Sequence, residues 1–180
     1  MKILFLAATD FELDAARRAW AGSDALFRVG GWGAGATLRT LEQVFAEGMP
    51  FDRIVDVGIA GSSRNDLPAG AVVQVVAEHD GEGEGPVLHN PDPWPRPDIL
   101  PQVTGRTVQH LDDRWRRTPA DVETMEGAAF FAACLRRGVP FSEIRAVSNR
   151  VGEEDRSRWD IPLALERLEE ALKNLLDHES

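Results

Sequence analysis

The chain has 180 residues, of which 43% are hydrophobic and 28% charged, and its formal net charge is -10. That length and composition fit one globular domain over residues 1–180 with a sizeable core. The acidity argues against a nucleic-acid binder, which would carry a basic stripe. The single cysteine, Cys134, permits no internal disulfide and suits a reducing, cytoplasmic setting. No stretch reads as a membrane span, and the apolar run of MKILFLAATD ends at Asp10.

KILFLAA reads as a buried strand because its β-formers do not alternate with polar residues. DFELDAARRAW reads as a helix with Asp10 as N-cap. ALFRVGG is a second strand, and GWGAGATLRTLEQVFAEG becomes helical until Gly48. FDRIVDVGIAG and GAVVQVVAEHD are the third and fourth strands. From Asp80 to Pro101 the glycine and proline density reads as a loop without regular structure. QVTGRTVQHL returns to strand, and Thr124 to Arg137 is helical with Gly138 as C-cap. SEIRAVSN is a late strand, and DIPLALERLEEALKNLLDH is an amphipathic helix. Strands alternating with helices imply an α/β class, a three-layer sandwich around a central sheet.

Ligands in such sheets collect at strand carboxyl ends. Four stretches fall near such ends: AATDFE with Glu12, GIAGSS with Ala60 and Gly61, TMEG with Glu126, and SNR with Ser148 and Asn149. Each has a plain explanation too. Glu12 is in a first helical turn, where acids are favoured anyway, GIAGSS is a tight strand exit, and Asn149 suits a turn. Glu126 is the exception, because apolar neighbours flank it and a stranded charge is costly. His79, His89, His110 and His178 are scattered without metal-ligand spacing. Cys134 reads as a packed small hydrophobe. No metal or cofactor is expected.

Taken together, VETMEGAAFF, IRAVSNRVG, AATDFEL and VGIAGS resemble, in order and spacing, the purine nucleoside phosphorylase and nucleosidase superfamily. The segment Asp121 to Leu165 is most similar to the futalosine hydrolase family. The resemblance implies a nucleoside phosphorylase-like fold with a mixed sheet and an N-glycosyl hydrolase acting in menaquinone biosynthesis. The implied substrate is a purine nucleoside, futalosine, which is hypoxanthine on a ribose with an aromatic carboxylate extension at the 5' end. By the same resemblance Glu12 is the base that activates water. Met125 and Glu126 line the ribose, with Glu126 accepting from its 2'- and 3'-hydroxyls. Asn149 reads the purine, and asparagine there goes with 6-oxopurines whereas aspartate goes with adenine. Ile59, Ala60, Gly61, Thr124 and Ser148 complete the substrate-binding set, and a homodimer or higher homo-oligomer is implied.

Three alternatives stay open: a purine nucleoside phosphorylase, an adenosine-type nucleosidase, and a nucleoside-binding homologue without catalysis. A phosphorylase needs cations for phosphate. Arg17 and Arg64 are the candidates, while Asp56 in VDVGIAG repels an anion if it points inward. The segment Asp80 to Arg117 is shorter than in the family, and Trp94 is a candidate aromatic wall in its place. Arg150 and Arg156 are candidates for the 5' carboxylate by their nearness to SNR.

Overall fold

A computed structural model describes residues 1–21, 24–80, 86–109 and 120–179, without the side chains of residues 176, 178 and 179. The glycine-rich stretch 81–85 and the end of QVTGRTVQHL from residue 110, with His110, lie outside these residues.

Among the described residues, eight strands and four α-helices follow in the order β1 (Ile3–Ala7), α1 (Asp10–Ala19), β2 (Leu26–Val29), α2 (Gly33–Glu47), β3 (Arg53–Ser62), β4 (Val72–Asp80), β5 (Val87–His89), β6 (Gln102–Thr107), β7 (Val122–Thr124), α3 (Gly127–Arg137), β8 (Phe141–Arg150) and α4 (Ile161–Glu179). The sheet is mixed. β1 pairs in parallel with β2 and β3, and β3 with β8, while β7 runs antiparallel to β3. β8 also pairs antiparallel with β4, which pairs with β6, which pairs with β7. Five strands therefore close into a ring, β3-β8-β4-β6-β7, with β1 and β2 extending it at one side and β5 added on β4.

Alternation along the strands sorts the core into two layers. Ile3 and Phe5 of β1 face α1 and α4, where Leu13, Ala16, Leu168 and Leu172 pack. Leu4 and Leu6 face the other way, towards Leu41 of α2 and Phe130 and Phe131 of α3. The molecule is thus a three-layer α/β sandwich with a central mixed sheet. Gly48 and Gly138 end α2 and α3 with φ of 62° and 67°, the left-handed region that glycine enters without a Cβ clash.

Some boundaries differ from the sequence reading. Thr9, not Asp10, is the N-cap of α1, and its Oγ1 accepts from the Glu12 N–H at 3.4 Å. The α3 helix begins at Gly127, because Thr124 pairs with Thr107 as the last residue of β7. The segment Asp80 to Pro101 is not free of regular structure, since Val87–His89 pairs antiparallel with β4. It is also tied down further along. Asn90 donates to the Phe141 carbonyl at 2.9 Å, and Arg53 pairs with Asp92 at 2.6 Å. Hydrogen bonds to the sheet override the local glycine and proline signal there. Trp94 packs with the α1 and α4 layer and does not line the cavity described below. Cys134 is buried as expected, and burial pushes its thiol pKa up. No described helix is long and apolar enough to cross a membrane.

Candidate active site

One cavity of about 320 Å³ gathers the residues singled out from the sequence. Glu12, Ile59, Ala60, Gly61, Thr124, Met125, Glu126, Ser148 and Asn149 all line it. Residues more than a hundred positions apart meet because β1, β3 and β8 run in parallel and end at the same edge. β7 reaches that edge from the opposite direction, pairing Gly61 with Glu123.

Glu12 is 5% exposed and held at both oxygens. Thr9 Oγ1 donates to Oε2 at 2.5 Å, and the Ile59 N–H donates to Oε1 at 3.0 Å. Ile59 thus serves the site through its backbone. Two hydrogen bonds on a nearly buried carboxylate hold it in one orientation, as a base aimed at one point requires.

Glu126 occupies the N-cap position of α3, yet its side chain does not cap that helix. Its Oε1 accepts from the Gly33 N–H at 2.8 Å and its Oε2 from the Met125 N–H at 3.2 Å. The buried charge is therefore met in part by backbone amides before any ligand arrives. Thr124 does the capping, accepting from the Gly127 N–H at 3.2 Å.

A β-bulge sets the fourth corner. Ala60 pairs with Val147, but Gly61 pairs with Asn149, leaving Ser148 as the extra residue on β8. The bulge re-aims the strand end so that both Ser148 and Asn149 line the cavity. The Ser148 hydroxyl donates to Asn149 Oδ1 at 2.7 Å, and Asn149 Nδ2 donates to the Arg150 carbonyl at 2.9 Å. The amide is thereby oriented, with one N–H left over. A Cβ on Gly61 would sit 3.1 Å from Asn149 Nδ2, so glycine is what lets this amide approach β3.

Beneath the cavity lies a charged cluster that the sequence reading missed. Arg145 is 1% exposed, its Nε donates to Glu143 at 2.7 Å, and its Nη2 donates to Asp56. Its Nη1 is turned towards Glu12. A Cβ on Gly58 would collide with Nη1 and would also lie 2.8 Å from Glu12 Oε1. Asp56 does point inward, but against Arg145, so the repulsion expected of it is neutralised by that guanidinium. The signal was present as Glu143 and Arg145, two charges on one face of a strand whose other residues up to Ser148 are apolar or small. Arg17 and Arg64, the phosphate candidates, pair with Asp14 and Asp66 and do not line the cavity.

Glu78 completes the cluster. Thr107 Oγ1 donates to its Oε1 at 2.7 Å and also accepts from the Ala128 N–H of α3 at 2.6 Å. Glycines at 105 and 127 make room, since a Cβ on either would collide with or crowd the Glu78 carboxyl. Glu78 Oε2 and Glu143 Oε2 make no hydrogen bond among the described residues. Burial, with like charge added, raises the pKa of Glu78 and of Asp56 well above the ordinary carboxylate range, and that of Glu143 as well. Burial opposes the charge of Arg145, but Asp56 and Glu143 outweigh it and raise its pKa. Three carboxyls thus crowd one guanidinium, and burial favours proton uptake by them.

A stability slope follows. A carboxyl whose pKa is raised on folding stabilises the fold fully below its unfolded value. That contribution is lost as the pH rises through the folded value. Glu78→Gln lacks this titration. In thermal melts from about pH 5 to about pH 8, the wild-type Tm is expected to fall relative to that of Glu78→Gln as the pH rises. Parallel curves would mean that Glu78 holds no proton in the fold.

Comparisons with known proteins bear on the family and the fold. The profile of the phosphorylase superfamily matches residues 99–178. A futalosine hydrolase from Streptomyces coelicolor is 34% identical over 158 residues, covering 72% of this chain and 67% of that protein. A futalosine hydrolase from Acidothermus cellulolyticus is 54% identical over 74 residues, covering 41% of this chain and only 30% of that protein. The chain thus spans under a third of one relative's length and about two thirds of the other's. The solved futalosine hydrolase of Helicobacter pylori superposes with a TM-score of 0.84 at 16% identity, over 99% of this chain and 98% of that one, a likeness of fold. On the strength of the Streptomyces alignment, the chain belongs to the futalosine hydrolase family within the phosphorylase superfamily.

Proposed function

We propose that this chain hydrolyses the N-glycosidic bond of a 6-oxopurine nucleoside, futalosine, releasing hypoxanthine and leaving dehypoxanthine futalosine for menaquinone biosynthesis. The observation that carries the reading is the convergence of Glu12, Glu126 and Asn149 on one cavity, each already fixed by named hydrogen bonds.

The chemistry suits those three groups. Cleavage passes through an oxocarbenium-like sugar carrying positive charge, which nearby carboxylates stabilise. Glu12 takes a proton from the water that attacks C1', because water alone is a poor nucleophile. Glu126 keeps acceptor capacity beyond the Gly33 and Met125 amides, and a ribose diol donates to it. The free N–H of Asn149 donates to the leaving purine as charge builds there. Ser148 fixes that amide by donating to Oδ1.

The test is hypoxanthine release from futalosine and from inosine, each with and without phosphate. Release from futalosine in phosphate-free buffer is expected. Release that needs phosphate would assign the chain to the phosphorylases. Binding without release would make it a non-catalytic homologue, and release of adenine from adenosine instead would overturn the assignment to Asn149.

A further inference from the structure

Four glutamates line the cavity, Glu12, Glu123, Glu126 and Glu153, and among the described residues the one basic side chain that lines it is Arg156. An arginine in acidic company normally pairs with a carboxylate. Here the glutamates have other partners. Glu12 and Glu126 are held by Thr9 and by backbone amides, Glu123 by Arg106, and Glu153 by Arg158 at 3.4 Å. Arg156 forms no ion pair among the described residues. It touches aromatic rings instead, its guanidinium lying 5.7 Å from the ring centroid of Trp32 and 5.7 Å from that of Trp159.

The two tryptophans come from distant parts of the chain. Trp159 follows the short 3-10 turn Arg156–Arg158, and its indole N–H donates to the Glu153 carbonyl at 2.8 Å. That turn is tied to the base-reading strand end, because the Asp160 N–H donates to the Ser148 carbonyl at 2.8 Å. Trp32 directly precedes Gly33, whose N–H holds Glu126. Trp32 is 60% exposed, an unusual state for so large an apolar side chain unless a ligand or partner covers it.

We infer that Arg156, with Trp32 and Trp159, forms a subsite for a carboxylate carried on an aromatic ring of the substrate; the inference rests on the nucleoside hydrolase reading above. A guanidinium whose faces lie against rings keeps its edge N–H donors free, and those donors match a carboxylate in a bidentate fork. The indole faces offer stacking for a second ring. A single negative charge is also better tolerated beside Glu153 than a phosphate dianion. The same geometry separates Arg156 from Arg150. Arg150 donates to the Arg64 carbonyl at 2.5 Å and to Asn65 at 2.7 Å, and it does not line the cavity.

The experiment compares kcat/KM for futalosine with that for inosine, in the wild type and in Arg156→Gln. The ratio of futalosine to inosine is expected to fall by about 10- to 100-fold in the variant, the range for a charge-assisted hydrogen bond. Arg156→Lys, which keeps the charge but loses the fork, should fall between the two. A ratio equal to that of the wild type would overturn the subsite, whether both substrates suffer together, as for a structural clasp, or neither does. Should no nucleoside be hydrolysed, the hydrolase reading fails, and calorimetric Kd values still decide the subsite. Futalosine should then bind Glu12→Gln/Arg156→Gln at least about tenfold more weakly than Glu12→Gln. Equal Kd values would overturn it.

Discussion

Glu12→Gln is expected to lower kcat for nucleoside hydrolysis by about 10²- to 10⁴-fold, the usual contribution of a positioned general base. The substitution is nearly isosteric. The amide oxygen still accepts the Ile59 N–H that now lies 3.0 Å from Oε1, and the new N–H donors face Thr9 Oγ1, which accepts in place of donating. Geometry is kept while basicity is lost, so the defect should appear in kcat with substrate Kd nearly unchanged. Steady-state rates paired with calorimetric binding separate the two. Turnover at the wild-type rate would remove Glu12 from the chemistry. Weak binding with intact kcat would make it a substrate anchor.

Arg145→Met is expected to cost about 3–5 kcal/mol of folding stability, among the largest effects a single substitution here can have. Methionine fills much of the space, so the loss is not mainly a cavity effect. What remains is Asp56 and Glu143, both buried and both stripped of the guanidinium that now faces them. Urea unfolding at neutral pH measures the loss. It should shrink in mildly acidic buffer, because orphaned carboxyls take up protons there and cease to be buried charges. A loss that is the same at both pH values would mean that packing, not charge balance, is what Arg145 supplies. Gly58 is part of the same arrangement, since any Cβ there meets both Arg145 and Glu12.

Much of this arrangement was legible beforehand, and the failures have physical reasons. Strand and helix order could be read because apolar runs and 3.6-residue periods are local signals. The caps slipped by a residue or a few. Thr9 outcompeted Asp10 because its hydroxyl reaches forward to the Glu12 N–H, a choice set by geometry that composition does not carry. The short β5 strand was invisible because its order comes from antiparallel pairing with β4 just before it, against a local glycine and proline bias. Trp94 was singled out as a cavity wall, but Trp32 and Trp159 line the cavity, since nothing local to a tryptophan says which face of the sheet it will meet.

The sequence by itself determined the α/β class, the family and nine residues that share the cavity, because motifs at strand ends keep residue type and order in plain view. Tertiary structure alone decided three things. Five strands close into a ring, and that closure packs Glu78, Asp56 and Glu143 around Arg145 under Glu12. Backbone amides from Gly33 and Ile59 hold the two glutamates, a role no side-chain pattern encodes. Arg156 meets two tryptophans that are 124 and 3 residues away from it in sequence, and the first of these pairings is one that only the folded chain's long-range contacts could create.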